Sequence, residues 1–224
     1  MQNEFFPRRR TAAAIVATAA LFPIIVVVLN LVQRGGYSPI RQAISELALG
    51  TGGNFMVAAF CSLGVSVFLV GRLLRHTVAR ARVAPILLSI ASVFAGPMSA
   101  AFHTDRAGAK ATWHGNVHSL AGIAAFLLIL AAMTACSYRF HKDAAWRSFA
   151  LPTTVWTVIG IVTFVLIAAL GNAHFGVAQR LFVGTFVAWI IHTGLFALRD
   201  TAPAVMASSA SSRAESALVP NRPR

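Results

Sequence analysis

The sequence predicts an all-α protein, a polytopic bundle of about six transmembrane helices. Of its 224 residues, 57% are hydrophobic and only 11% are charged, a composition far from that of soluble domains. The apolar residues form runs of about 20, the length that crosses ~30 Å of hydrocarbon. Uncharged runs of this length fit helices and not barrel strands, because a helix satisfies its backbone amides within its own segment.

Six apolar runs follow one another along the chain. The first run comes after three arginines but is longer than the apolar part of a typical signal peptide, so we expect it to be retained as a span. The flanks divide into a cytoplasmic segment at 1–10 and a tail at 199–224, whose Ala, Ser and Pro content predicts disorder. The predicted spans within the domain at 11–198 are Thr11–Leu31, Asn54–Leu74, Ala84–Phe102, Trp113–Ser137, Phe149–Leu170 and Val177–Leu198.

The positive charges predict the orientation. The net charge of +13 would suit nucleic-acid binding in a soluble protein, but here Lys and Arg lie in short clusters between apolar runs. Of the 19 cations, 14 lie before the first span, between the second and third, between the fourth and fifth, or after the sixth. The positive-inside rule therefore places both termini in the cytoplasm of a multi-pass protein of the inner or plasma membrane, with lipids and not nucleic acid as partners.

The two cysteines indicate no redox or metal role. Cys61 and Cys136 both fall in apolar runs, without a C-x-x-C spacing and without a partner in a polar loop. We expect them to pack between helices and to form no disulfide.

Most other polar features follow the opposite pattern and gather on the predicted outer side. They lie in "YSPIRQAISELALGTGGN", "HTD", "WHGNVH" and "GNAHFGVAQRL", which are four segments at the outer ends of the predicted spans. Because packed helices are only 8–10 Å apart, the polar groups at these ends can converge on one cavity.

Three histidines and an aspartate in "FHTDRAGAKATWHGNVH" form the main candidate site. His114 and His118 are four residues apart near a helix start, which places them on one face. A short connection brings His103 and Asp105 close to them, and Ser99 lies one turn below His103. Imidazole and carboxylate ligands suit Zn²⁺, which lowers the pKa of a bound water to ~7 and would make a hydrolase with Asp105 as ligand or base. The alternative is structural: histidines at the membrane interface, and Asp105 as a helix cap.

Three further segments supply weaker candidates. Glu46 either lines the same cavity as a catalytic carboxylate or begins a short interfacial helix that Ser45 helps to cap. Gln179 and Arg180 open the last span, where the guanidinium either binds a phosphate or carboxylate headgroup or snorkels to the interface. Ser45, Gln179 and Arg180 are therefore the candidate substrate-binding residues.

The blocks "SELALG", "FHTD", "HGNVH" and "GVAQRL" resemble those of a bacterial family of multispanning proteins, domain of unknown function 998. The resemblance covers about residues 12–198 and departs from the family pattern at His103, where the family has proline. It implies the topology and no activity. Ser99, His103, Asp105, His114 and His118 are also similar in composition to the S-x-x-x-H, D and H-x-x-x-H elements of the alkaline ceramidase and progestin/adipoQ receptor superfamily. That similarity implies zinc-dependent amide hydrolysis in lipid as a reaction class.

Two classes of function follow. In the first, an extracytoplasmic zinc site hydrolyses an ester or amide of a lipid-like substrate, with Glu46 or Arg180 orienting the headgroup. In the second, the protein is not an enzyme and its outer cavity binds a lipid, a small ligand or a partner membrane protein. Transport and haem binding are less favoured, because no inverted repeat of broken helices and no second pair of histidines at the other membrane face is present.

Overall fold

The fold is a helical bundle. The computed structural model describes residues 2–199, with side chains from Arg8 onward, so almost all of the predicted disordered tail lies outside the described residues. Within this range there are seven α-helices and no strand. The α-helices are α1 (Gln2–Val32), α2 (Phe55–Thr77), α3 (Val83–Val93), α4 (Ser99–Ala101), α5 (Trp113–Phe140), α6 (Ala150–Ala169) and α7 (Gly171–Arg199); 3-10 helices occupy Ile44–Leu49 and Arg147–Phe149, and a π-helical turn occupies Phe94–Met98.

The six predicted spans are confirmed by length and composition. Six helical segments of residues 2–199 are long and apolar enough to cross a membrane, and the third, Val83–Ala101, combines α3, the π-helical turn and α4. Their limits differ from the prediction mainly at the ends. The first helix begins at Gln2, well before the apolar run, and the last begins at Gly171. In α7 the backbone at His174 is not helical (φ −128°, ψ 16°), which separates a short first turn from the apolar span.

The helices close into a ring. Each membrane-crossing segment packs against the next in the chain, and α7 returns to pack against α1. Helices α2 and α7 also touch across the ring, and these two are the most buried. Because lipid tails are as apolar as the side chains, packing and small residues hold such a bundle together, without a hydrophobic driving force between helices.

The closest approach in the bundle joins α2 to the π-helical turn. A Cβ added to Gly64 would lie 2.6 Å from the Cα of Gly96, so only glycine fits on the α2 side. Pro97 lies inside the π-helical turn, where its missing N–H and its ring disrupt the regular hydrogen-bond ladder. The Ser99 hydroxyl donates to the Phe94 carbonyl at 2.7 Å and satisfies one of the displaced backbone groups.

The two ends of the bundle differ chemically, and we name them by their charges. The basic end contains residues 8–10, 78–82 and 141–149, together with Arg199. Its connections are tied by Asp143, which accepts hydrogen bonds from the backbone N–H groups of Ala79 at 2.8 Å and Ala145 at 3.0 Å. The polar end contains the connections 33–54 and 102–112 and the first turn of α7, and it holds most of the predicted site residues.

Candidate functional site

Glu46 joins two connections of the polar end. It is buried in the 3-10 helix, and its Oε1 accepts from the Ala43 backbone N–H at 3.0 Å. Its Oε2 accepts from Gln42 Nε2 at 2.9 Å and from the backbone N–H of Ala107 at 3.0 Å. The interfacial helix expected here is therefore present, but Glu46 and not Ser45 supplies its capping hydrogen bond. The buried carboxylate therefore accepts three hydrogen bonds and holds the two connections together. Hydrogen bonds to a charged group stabilise a fold more than those between neutral groups.

Arg180 fastens the start of α7 to the connection 33–54. Its Nη1 donates to the carbonyls of Pro39 at 2.9 Å, Gln42 at 2.9 Å and Gly176 at 3.0 Å, and its Nη2 donates to the Tyr37 hydroxyl. A Cβ on Gly176 would lie 2.5 Å from two of these carbonyl oxygens, so glycine permits the approach. Burial raises the pKa of Tyr37 above its ordinary value, although Arg180 beside it acts in the opposite direction. This guanidinium is therefore used within the protein, which leaves its predicted role in substrate binding without support.

Asp105 fixes the start of α5 by accepting hydrogen bonds from the N-cap residue, and it is not itself the helix cap. Its carboxylate accepts from the Thr112 backbone N–H and from the Thr112 hydroxyl, both at 2.8 Å. Thr112 is the N-cap residue, and its hydroxyl oxygen accepts from the Gly115 N–H at 3.1 Å. A Cβ on Gly115 would lie 2.0 Å from Asp105 Oδ2, so this glycine makes room for the carboxylate. The hydrogen bonds from Thr112 hold the pKa of Asp105 below its ordinary value.

Among the described residues, the two outermost histidines form no hydrogen bond with this network, although His114 interacts electrostatically with Asp105. His114 packs its ring against Trp113, with centroids 3.9 Å apart, and against Phe102 at 5.7 Å. Its Nδ1 is buried and has no hydrogen-bond partner among the residues that the structure describes. His103 is exposed at the end of the third span. An imidazole among aromatic rings at a helix end is typical of the membrane interface.

His118 is the one predicted histidine that faces the interior of the bundle. It is buried, and its Nδ1 lies 2.8 Å from the Phe102 carbonyl, which requires a proton on Nδ1. In the neutral ring, Nε2 is then a hydrogen-bond acceptor. The ring also packs edge-on against Phe60, with centroids 5.7 Å apart.

A cavity of about 60 Å³ lies next to His118 inside the ring of helices. Its wall is mostly apolar and includes Phe22, Phe60, Phe126 and Phe186. The polar residues of this wall are Ser45, Ser99, His118 and Gln179. We call this space the inner cavity.

A second, smaller cavity of about 20 Å³ adjoins it on the side of the polar end. The two share four lining residues, namely Ser45, Phe60, Ser99 and His118. The smaller cavity also reaches the exposed residues His103 and Asn54. The shared residues therefore stand between the surface of the polar end and the inner cavity.

The predicted zinc ligands do not fit a shared metal ion. Within residues 2–199, no group of three or more His, Cys, Asp or Glu side chains is arranged to hold one. Asp105 is bonded to Thr112, His118 Nδ1 to a backbone carbonyl, and His114 lies against Trp113. The spacing of His103, Asp105, His114 and His118 predicted proximity, but it did not reveal these competing partners. The geometry gives the zinc site no support.

The polar end also contains side chains that hold its connections in place and that the sequence did not single out. Thr112 directly precedes the α5 helix, so the preference of helix N-caps for Thr would have identified it. Tyr37 and Gln42 carried no comparable signal. The partner of the Tyr37 hydroxyl, Arg180, is 143 residues away in the sequence, and the Gln42 side chain accepts from a backbone group, the Ser38 N–H. Both cysteines are free, as expected, with Cys136 buried and Cys61 exposed on the surface of the bundle.

Comparison with known proteins identifies one relationship. A family model described as "Protein of unknown function (DUF998)" matches residues 16–195. No curated protein and no solved structure matches the chain.

Proposed function

The chain belongs to the DUF998 family of membrane proteins, and we propose that it is a non-enzymatic binding protein whose inner cavity takes the polar group of a small amphipathic or lipid-like molecule. The observation that carries this proposal is the polar wall formed by Ser45, Ser99, His118 and Gln179 in an otherwise apolar cavity. Pockets for small molecules characteristically combine an apolar lining with a few converging polar groups.

Ser45 is the polar group that the fold itself does not use. Gln179 Oε1 accepts from the Ile44 backbone N–H at 2.8 Å, and Ser99 donates to Phe94. Ser45 is buried as a residue, and its side chain makes no hydrogen bond to the described residues. Its hydroxyl oxygen is not fully enclosed by protein atoms, so a ligand in the cavity can reach it and form a hydrogen bond.

The size of the inner cavity restricts what enters it. A volume of about 60 Å³ holds only a few non-hydrogen atoms, since one water needs at least ~10 to 15 Å³ of such space. The cavity therefore takes a hydroxyl, amide or carboxyl group and the carbon atoms next to it, and the rest of the molecule lies along the neighbouring apolar side chains. Phe126 and Phe182, whose centroids are 5.0 Å apart, form the aromatic contact between α5 and α7 below it.

Thermal unfolding of the purified protein in detergent, with decanol or decane added, tests this proposal. The two probes have equal chain lengths, so a hydroxyl-specific site predicts a higher melting temperature with decanol and no change with decane. Ser45→Ala should abolish the shift without lowering the melting temperature of the free protein, because no hydrogen bond of the fold is lost. The matched control is Ser62→Ala, which removes a buried hydroxyl of α2 that bonds only to Ala59.

Two results would overturn the proposal. Equal shifts with decanol and decane, or a decanol shift that survives both Ser45→Ala and the cavity-filling Ala125→Leu, would show that the probe binds elsewhere. One equivalent of zinc in the purified protein, lost on changing His114 or His118 to Ala, would instead favour the metal-dependent hydrolase.

A further inference from the structure

A groove at the basic end lies far from the inner cavity and has a different chemistry. It has a volume of about 240 Å³ and runs between the connection that follows α2, the start of α3 and the last turns of α5. Its apolar wall includes Val83, Ala84, Ala135 and Cys136. Three arginines, Arg80, Arg82 and Arg139, line the same space. We call it the arginine groove.

The cations of the arginine groove are available to a ligand. Arg80 and Arg82 are exposed, and neither forms an ion pair in the described part of the chain. Arg139 uses its Nε to donate to the Ala79 carbonyl at 2.7 Å. The nearby acid, Asp143, is buried, and both its oxygens accept backbone hydrogen bonds. The groove therefore presents positive charge to its surroundings.

Arg80 occupies a backbone conformation that would favour glycine. Its φ is +55°, and it is the one residue other than glycine with a positive φ in residues 2–199. A bulky side chain is uncommon there. Such strained positions concentrate at functional sites, and this one turns the chain so that Arg80 and Arg82 both border the groove.

The length of α5 predicts that the groove lies at the boundary between lipid headgroups and acyl chains. Helix α5 has 28 residues, so it is ~42 Å long at ~1.5 Å per residue and passes through the whole hydrocarbon layer into the headgroup region. Its last turns carry Arg139 at the charged edge of the groove, whereas Ala135 and Cys136 lie one turn deeper. Basic pockets between transmembrane helices are suited to phosphorylated lipid headgroups.

We propose that the arginine groove binds an anionic glycerophospholipid. The phosphate lies against Arg80 and Arg82, where the guanidinium groups provide paired N–H donors that match phosphate oxygens. The first part of an acyl chain lies along Ala84, Ala135 and Cys136. This site goes beyond the proposed function, since it shares no residue with the inner cavity.

The test compares nanodiscs of phosphatidylcholine with nanodiscs that also contain phosphatidylglycerol. Retention of phosphatidylglycerol is measured by native mass spectrometry, and stability by the melting temperature. Arg80→Gln with Arg82→Gln should reduce phosphatidylglycerol binding at least about tenfold, because both charge-assisted hydrogen-bonding partners of the phosphate are lost. The matched control, Arg72→Gln with Arg75→Gln, removes the same charge from the exposed face of α2 at the same end and should change binding less than about twofold.

A second variant tests the acyl-chain part of the site without changing charge. Ala135→Phe fills the apolar wall and should also displace the lipid, while melting in phosphatidylcholine alone should stay near that of the wild type. If both double variants lost phosphatidylglycerol binding equally, the binding would depend only on the general surface charge, and the proposal would be overturned. Full stabilisation by inorganic phosphate, or unchanged lipid retention in Ala135→Phe, would overturn the assignment of a lipid.

Discussion

At the scale of single residues, side-chain hydrogen bonds of three charged residues hold the segments of the polar end together. Glu46 ties the connection 33–54 to the connection 102–112, and Arg180 ties it to α7. Asp105 orders the start of α5 through Thr112. These three charged groups bind backbone groups of another segment or the cap of a helix, so they help to determine where the loops of this end lie. The polar atoms that face the inner cavity are neutral ones.

The Asp105 fastening predicts a pH-dependent contribution to stability. The pKa of Asp105 is lower in the folded protein than its ordinary value, so its contribution is fully present above pH ~4 and is lost as the pH falls through the lower, folded value. Asp105→Asn should therefore lower the melting temperature at pH 7, and the difference from the wild type should shrink as the pH falls below the ordinary aspartate value of ~4.

Thermal unfolding in detergent at pH 7, 5 and 3 measures this difference. Lys110→Gln is the control, because it changes one exposed charge in the same connection. A difference between Asp105→Asn and the wild type that stays constant from pH 7 to pH 3 would contradict the assigned role of the carboxylate.

The expectations for single residues came closest to the structure where the signal was local. An aspartate before a helix suggested a cap, whereas the N-cap is Thr112 and Asp105 accepts hydrogen bonds from it. The zinc prediction failed to gain support because i, i+4 spacing places His114 and His118 on one helix face but does not show which groups meet that face. The Phe102 carbonyl and the Trp113 ring, which hold these two side chains, come from the tertiary structure.

At the scale of helices, the apolar runs predicted the spans because a long uncharged segment has few alternatives in lipid. The interruption of the third span required more information. A proline at position 97 is compatible either with a kinked α-helix or with a π-helical turn. The structure has the π-helical turn, and this turn contacts α2 at Gly64. The added first turn of α7 was also missed, because "GNAH" is typical of a loop by composition and forms a turn around His174.

The crossing of α2 and the π-helical turn predicts an intolerance for side chains at Gly64. A methyl group there would lie 2.6 Å from the Gly96 Cα and 2.9 Å from the Ser92 carbonyl oxygen, both backbone atoms that cannot move alone. Gly64→Ala should therefore destabilise the fold by about 1 to 3 kcal/mol, the usual cost of overpacking.

Gly184→Ala is the matched control, because a Cβ at Gly184 meets no atom within 4 Å and alanine favours helix. Urea or detergent unfolding of both variants gives the comparison. An unchanged stability of Gly64→Ala would mean that the two helices are further apart than the structure places them.

At the scale of the whole molecule, the ring of helices separates two kinds of lipid-facing chemistry. The basic end presents Arg80 and Arg82 beside an apolar groove, whereas the polar end leads through small cavities toward His118. Six spans are an even number of crossings. The first and last residues of the membrane domain therefore lie at the same end of the bundle, the basic end. The side of the membrane to which this end belongs is a prediction from charge.

The predicted orientation places the basic end in the cytoplasm, because 14 of 19 cations belong to that side. We expect a cysteine at Lys110, in the exposed connection of the polar end, to react with a membrane-impermeant maleimide added to intact cells. A cysteine at Arg147, exposed at the basic end, should react only after permeabilisation. Both variants are made with Cys61 and Cys136 changed to alanine, so that only the new thiol can react. The reverse labelling pattern would place the inner cavity's entrance on the cytoplasmic side, and any ligand of that cavity would then have to come from the cytoplasm or the inner leaflet.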